Sequence, residues 1–392
     1  MKRVMDGEGS PVRLLADEGR LTGVAGQPLD DVVRQRVATP PIFRHVTGTV
    51  PTPRVALVVN PRVRDRVGAA LWHAALTRLD EGTTIVARES TRGDARDLEH
   101  IRGVVREQRP DVLVAAGGDG TVNQTVEGLL AAGEPMPALG ILPLGTANNV
   151  ARSLGLLSCR HVGEAAVDLA VQAIARGPER VIDVGAVGGR HFVGSFAAGM
   201  DADILAMRNR WRRIIGTRNL LSGYPLYLVS CAANLLARRH GARTHVVVDG
   251  VGRDVSAYNV LVTNTALYAG EFRFDPGDPS ADEKLDLQVM TGPVEYVRLF
   301  VSAWRRYLGA RRDKRVPPPR ALERVRRIVL SCRTPVPSQV DGEEFCVTDR
   351  YEIEVRARAF RVRVPAETGS PLALGALPGE LPRELCAGGP PS

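Results

Sequence analysis

Sustained apolar patterning begins only after Arg54. Val55-Ala56-Leu57-Val58-Val59 is a short continuous apolar run of the kind that forms a strand buried on both faces, and Val67, Leu71 and Ala74 then fall on one face of a helical stretch. Thr83 to Ala87 repeats the strand pattern. Asp94 to Glu107 repeats the helix, with Leu98, Ile101 and Val105 at spacings of three and four. Val112 to Ala116 predicts a third strand, Val122, Val126 and Leu129 the inner face of the helix after it, and Leu139 to Leu142 a fourth strand. Strands alternating with helices at this spacing predict α/β architecture, a doubly wound parallel sheet covered by helices on both faces. Such sheets bind ligands at the carboxyl ends of their strands.

Beyond about residue 180 short alternating runs take over: His191 to Phe196, Thr244 to Val248, Tyr258 to Thr263, Leu285 to Met290, Ile328 to Ser331 and Tyr351 to Ala357. They predict a second, mainly antiparallel β domain, interrupted by a helical segment from Leu220 to Leu236. Residues 1–53 carry charge, glycine and proline without a sustained period and read as a loosely ordered extension; 366–392 read as a disordered tail. The expected organisation is therefore a parallel α/β domain over 54–180 and a β-rich domain over 181–365, whose end packs back on the first.

Composition narrows the partners. A formal charge of +8 over 392 residues suits phosphate-bearing partners such as nucleotides, anionic lipid surfaces or nucleic acid, and charge alone does not choose among them. Cys159, Cys231, Cys332, Cys346 and Cys386 lie far apart, without zinc spacing, which favours a reducing cytoplasm and no structural metal. Met1 to Glu8 lacks the apolar core of a secretory signal. The uncharged run from Asn219 to Ala237 nearly reaches the roughly 20 residues of a membrane span. Ser222, Gly223, Pro225, Ser230 and Asn234 interrupt it, so a buried or surface-docking helix is expected.

At the end of the third strand stands Gly117-Gly118-Asp119-Gly120-Thr121-Val122-Asn123, and at the end of the fourth Pro143-Leu144-Gly145-Thr146-Ala147-Asn148-Asn149, each leading into a helix. Glycine lets the backbone approach a phosphate, and unpaired N–H groups at a helix start favour an anion. Either turn alone is equally well a plain strand-to-helix connection. Together they would face one crevice, with Asp119 offering a carboxylate to a metal-bridged phosphate and Asn60, at the end of the first strand, beside them.

These motifs resemble those of the diacylglycerol-kinase catalytic-domain superfamily, which includes bacterial lipid kinases, sphingosine kinases and ceramide kinases. The similarity lies at Gly117 to Asn123 and at Pro143 to Asn148, with Gln124 where Glu is usual and Asn149 where Asp is frequent. Asn60-Pro61 matches in part, its usual glycine-rich continuation being replaced by Arg62 to Arg66. Ser90-Thr91-Arg92-Gly93-Asp94-Ala95 is similar to a shortened threonine plus G-D-A segment, so Thr91 is a candidate nucleotide contact and Asp94 equally a helix cap. The resemblance implies ATP bound by Asn60, Thr91, Gly117, Gly118, Asp119, Gly120, Thr121, Val122, Asn123, Gly145, Thr146 and Asn148.

Asp275 to Asp286 packs many carboxylates into one turn, a candidate Mg²⁺ site or a solvated acidic loop. The resemblance implies a structural Mg²⁺ on Asp282 and the carbonyls of Pro279 and Lys284, with Glu283 where glycine is usual. Gln339-Val340-Asp341-Gly342-Glu343 contains an Asp-Gly hairpin signal. The resemblance makes it the D-G-E segment credited with the catalytic base, Asp341 first and Glu343 second. The implied activity is ATP- and Mg²⁺-dependent phosphorylation of a lipid hydroxyl, diacylglycerol or a related lipid, in lipid metabolism. An NAD kinase-like enzyme and a catalytically weakened nucleotide- or lipid-binding protein are the alternatives. The expected partner is a lipid substrate at a membrane surface, approached through basic stretches such as Arg208 to Arg218 around Trp211, Ile214 and Ile215. The expected protein is cytoplasmic and peripherally membrane-associated, with no transmembrane span and no nucleic acid; a homodimer is left open.

Overall fold

The structure, a computed structural model, describes residues 4–5, 11–12, 52–63, 68–92, 96–215, 224–237, 240–274, 279–311 and 322–366. Most of the expected extension and nearly all of the expected tail lie outside the described residues, as do Val67, Asp94, Asp275 to Asp278 and Cys386. Strands β1 (Val4–Met5) and β2 (Pro11–Val12) pair antiparallel within a unit of their own.

In the second unit the apolar runs form parallel strands β3 (Arg54–Val59), β4 (Thr84–Ser90), β5 (Val112–Gly117) and β6 (Ala138–Pro143), in the order β6-β5-β3-β4. Every position of β5 and β6 is buried, the reason their sequences do not alternate. Helix α1 (Ala69–Gly82) buries Ala75 and Leu79, with Leu71 and Leu76 packed beside them. Helix α2 (Arg96–Gln108) buries Ile101, Val104 and Val105, whereas Leu98, expected on its inner face, points outward at 37% exposure. Helix α3 (Asp119–Ala132) packs on α2 and buries Val122, Val126 and Leu129. Short helices α4 (Asn149–Ser153) and α5 (Cys159–Val162) follow β6, and α6 (Glu164–Arg176) packs on α1.

The chain then builds antiparallel strands β7 (Glu179–Val187), β8 (Arg190–Phe192) and β9 (Ser195–Gly199) before helices α7 (Met200–Ile215) and α8 (Tyr224–Ala237). The expected single strand from His191 to Phe196 is thus broken at Val193-Gly194. Strands β10 (Ala242–Val248), β11 (Val251–Ala257), β12 (Asn259–Thr263), β13 (Leu267–Tyr268), β14 (Phe272–Arg273) and β15 (Leu285–Met290) lead to helix α9 (Pro293–Arg311). Strands β16 (Glu323–Val325), β17 (Arg327–Val340) and β18 (Glu343–Arg363) complete the order β16-β15-β12-β9-β17-β18-β6-β5-β3-β4. β18 is the joint: it pairs antiparallel with β17 and β7, and parallel with β6 at Val362 and Leu139.

Three main apolar cores and a small cluster of Leu267 and Tyr307 follow from this arrangement. One lies around β3, β5 and β6, and a second is enclosed by inward residues such as Phe196, Val262, Leu287 and Ile353. The third, with Met200, Ile204, Leu261, Met290, Phe300 and Ala303, lies between the opposite sheet face and helices α7, α8 and α9. Helices α6, α7 and α9 were not anticipated. Their charged residues and short-range alternation obscured a helical period that only their packing against the sheet makes decisive.

Candidate functional site

The carboxyl ends of β3, β4, β5 and β6 bring four sequence-distant segments together. Gly118 precedes α3 in extended conformation, and no side chain caps the helix start. The first intrahelical bond of the segment is donated by Val122 N–H to Gly118 O at 3.0 Å, so the preceding N–H groups form a dipole-positive terminus of the kind that binds anions. Gly117 O accepts the N–H groups of Leu144 and Gly145 at 2.9 and 3.1 Å, zipping the two glycine turns side by side. At Gly145 the approach is so close that a Cβ would lie 2.4 Å from Gly118 Cα.

Asn60 donates to Thr121 Oγ1 at 3.5 Å and accepts Arg62 N–H at 3.0 Å. Thr91 is buried, its N–H on Val59 O at 2.9 Å and its hydroxyl 3.5 Å from the same oxygen. Asn148 has a left-handed backbone with φ of 50°, and its side chain braces its own turn: Oδ1 accepts Gly145 N–H, and Nδ2 donates to Gly145 O and Ser158 Oγ. Val122 is a core residue, while Thr146 stands exposed on the rim.

Asp119 binds the second turn. Its Oδ1 accepts Val150 N–H at 3.1 Å and its Oδ2 the Asn149 amide at 3.2 Å. Burial raises its pKa above the usual carboxylate range, against the pull of these donors. Asn149 in turn accepts Gly270 N–H at 2.6 Å. A neutral amide suits this position, because the aspartate common there would set two carboxylates in contact. Asn149→Asp is therefore expected to destabilise the fold by about 1–3 kcal/mol. The shared site would hold a proton, so urea denaturation should find the loss larger at pH 8 than at pH 5.5. An equal loss at both would remove charge as the cause.

The Asp341 turn reaches this crevice from the far end of the sequence. Asp341 has φ of 47° and donates its own N–H to Ser195 O at 2.8 Å. Its carboxylate accepts the N–H groups of Gly194 and Ser195 on Oδ1, and Val193 N–H and the Asn123 amide on Oδ2, all within 2.7–2.9 Å. The break between β8 and β9 exists to aim these three backbone donors, since a continuous strand would direct them into the ladder. Burial pushes Asp341 up to about 6, with the neighbouring Asp119 charge adding to it and the backbone donors opposing it. Asn123, on α3, also donates to His191 O at 3.0 Å. Glu343 lies over the start of α3, where a Cβ on Gly120 would approach its Oε1 to 3.4 Å, and it faces Arg190 at 3.5 Å.

Comparison with known proteins finds similarity in the segment that carries the glycine turns. The family model for the diacylglycerol kinase catalytic domain matches residues 54–187. Those residues, about a third of the chain, carry the similarity to that family. It is similar to a diacylglycerol kinase of Mycobacterium tuberculosis, 28% identical over 256 residues, covering 63% of this chain and 77% of that protein. A diacylglycerol kinase of Bacillus subtilis is 36% identical over 99 residues, which are 25% of this chain and 30% of the relative, so the chain spans under a third of it. The fold matches the crystal structure of a diacylglycerol kinase from Bacillus anthracis with a TM-score of 0.59 and 20% identity, over 81% of this chain and 98% of that one.

In this chain the residues expected to hold Mg²⁺ sit apart from the glycine turns, at the turn before β15. Pro279 opens a short 3-10 turn, and Asp282 accepts Lys284 N–H at 3.1 Å and lies 3.6 Å from the Arg324 guanidinium. Arg324 also approaches buried Asp286 at 3.7 Å. Among the described residues no three His, Cys, Asp or Glu side chains converge on a metal position. The Arg324 guanidinium thus lies beside the one side-chain carboxylate of the expected Mg²⁺ set, whose other members are backbone carbonyls. Glu283 takes the left-handed backbone, φ 59°, that a glycine would adopt freely, and Asp183 steadies it by accepting its N–H at 2.6 Å.

Sequence reading missed the Val193 to Ser195 donors, Asp183, and the Glu127 carboxylate that accepts both the N–H and the ring nitrogen proton of His191 at 2.7 and 2.8 Å. Gly194 inside an alternating run was the available signal, because an isolated strand glycine marks a break or bulge.

Proposed function

We propose that this protein is an ATP-dependent lipid kinase that phosphorylates the hydroxyl of diacylglycerol or a related lipid at a membrane surface. One observation carries the reading: the Asn123 amide, on the helix that starts at the first glycine turn, touches the Asp341 carboxylate at 2.8 Å. An acceptor base and an anion-binding helix start thus meet in one crevice.

The α3 terminus and the paired turns, with Asn60 and the buried Thr121 beside them and Thr146 at their rim, cradle the ATP phosphates. Asp119 holds the turns together and would offer its charge to the Mg²⁺ that arrives with ATP. All four lone-pair positions of Asp341 are occupied, three by backbone donors that cannot leave and one by the Asn123 side chain, which keeps His191 O as a second partner. The lipid hydroxyl therefore takes the place of the Asn123 amide. Its oxygen bonds to the γ-phosphorus, the bond from that phosphorus to the β–γ bridging oxygen breaks, ADP leaves, and the proton passes to Asp341.

The deciding experiment is a phosphorylation screen with labelled ATP against diacylglycerol, a sphingoid base, phosphatidylglycerol and an isoprenoid alcohol, with NAD alongside. Transfer to a lipid is the expected result; transfer to NAD alone would overturn it. The acid limb of the pH profile gives an independent check. A base with a pKa of about 6 must be ionised to work, so kcat should fall about tenfold per pH unit well below 6 and level off above it. A flat profile between pH 5 and 8 would remove Asp341 as the base. The same shift has an opposite sign for folding: the folded state holds this proton more tightly than the unfolded chain, so its contribution falls as pH rises from about 4 to about 6.

A further inference from the structure

Helix α9 carries an outward face unlike the rest of the surface. Its exposed described positions are Val294, Val297, Arg298, Val301, Trp304 and Arg305, an arc of four apolar side chains flanked by two arginines, with no carboxylate among them. The spacing of three, four and three keeps the apolar four on one side over about 15 Å of helix. The inner side of α9, with Tyr296, Phe300 and Ala303, shares one core with α7 and α8. Because all three helices cover the same sheet face, their outward sides form one layer.

That layer continues the pattern. Trp211 and Ile214 on α7 and Val229 and Leu236 on α8 are exposed, and the exposed charges among them are Arg210 and Arg213. Among the described residues, the large exposed apolar side chains outside these helices are Leu98, Val251 and Val347 alone. Apolar side chains concentrated on one face and interleaved only with cations are a surface that water and other proteins of mixed charge serve poorly. No helix among the described residues is long and apolar enough to cross a membrane. A second copy of the chain is disfavoured, because a symmetric contact would set Arg298 and Arg305 against arginines, with no carboxylate among the exposed described positions of these helices to answer them.

We infer that the outer face of α9, continued by α7 and α8, docks the protein on an anionic lipid bilayer, with Trp304 and the valines entering the headgroup boundary and the arginines pairing with lipid phosphates. The inference deepens the lipid-kinase reading and rests on it for what the docked protein does. The docking helix also touches the crevice: Arg152, in α4, donates to Tyr307 on α9 at 2.7 Å and to Gly270 O at 2.8 Å. The second glycine turn is thereby tied to the element that meets the bilayer.

The test uses the full chain and vesicles of phosphatidylglycerol with phosphatidylcholine, against phosphatidylcholine alone, read by co-sedimentation at low and high salt. Binding should require the anionic lipid and weaken with salt. Arg298→Glu with Arg305→Glu should lower it about tenfold or more. Val301→Ser with Trp304→Ser should lower it comparably, and Trp304 emission should shift to the blue on vesicle addition. All four side chains are exposed, so circular dichroism should show both variants folded; if one is not, the other and the emission shift decide. Unchanged vesicle binding in the variants, or a wild-type dimer that they convert to monomer, would overturn the inference. Turnover of a short-chain, monomerically dispersed diacylglycerol separates the two readings. Docking variants should retain it, whereas a chain that binds vesicles but phosphorylates no lipid would sink the kinase reading and leave the docking face standing.

Discussion

Asp341→Asn should reduce lipid phosphorylation by about 10²–10⁴-fold while leaving nucleotide affinity within a few-fold of the unaltered protein. The asymmetry follows from geometry. Asp341 contacts the strand break and Asn123, and the glycine turns do not depend on it for their mutual hydrogen bonds. Asparagine keeps the shape but replaces one acceptor oxygen with a donor, which would confront Val193 N–H and the Asn123 amide if it occupies the Oδ2 position. Some loss of stability is therefore expected as well, and thermal unfolding must accompany the kinetics. Single-turnover phosphorylation and calorimetric titration with a non-hydrolysable ATP analogue make the comparison. Turnover surviving at wild-type level would transfer the base to Glu343, which is half exposed and stands over the start of α3. Asp119 would be the wrong choice in that event, because both of its oxygens already hold the second turn.

Gly145→Ala should have the second large effect, and on the other property. The added Cβ would meet Gly118 Cα at 2.4 Å and Asn148 Oδ1 at 2.7 Å, neither of them the free end of a flexible side chain. Relief requires the turns to part, which strains the bonds from Leu144 and Gly145 to Gly117 O. Overpacking of this kind costs about 1–3 kcal/mol. A loss of that size within the phosphate cradle corresponds to nucleotide binding weakened by roughly 5–150-fold. Thermal unfolding should also move down by a few degrees. Calorimetry on the variant reads both. Undiminished affinity for the ATP analogue would mean that the phosphates do not sit at the paired turns.

The parallel half of the fold was legible because buried strands are apolar without interruption, and β3, β5 and β6 fall where the runs from Val55, Val112 and Leu139 place them. Leu98 misled because a spacing of three and four fits more than one helix face, and burial is settled by what packs opposite. Helices α7 and α9 were hidden by arginines, whose stems cover apolar surface while their charges stay in water. The glycine turns were legible as motifs, but their contact through Gly117 O depends on β5 and β6 being neighbours.

What the amino-acid sequence determines by itself is local: strand and helix periods, the two glycine turns, an Asp-Gly-Glu hairpin and a cationic bias. Each follows from backbone sterics, side-chain spacing or charge, properties that act over a few residues. The tertiary structure decided what those pieces do to one another. It placed Asp341 against Asn123 across 218 positions, gave the Asp341 carboxylate three backbone donors from a broken strand, and set an arginine beside Asp282. It also gathered the exposed apolar side chains of three helices on one face. Such arrangements depend on burial and on the pairing of distant strands, and neither quantity exists in the chain until the sheet has closed.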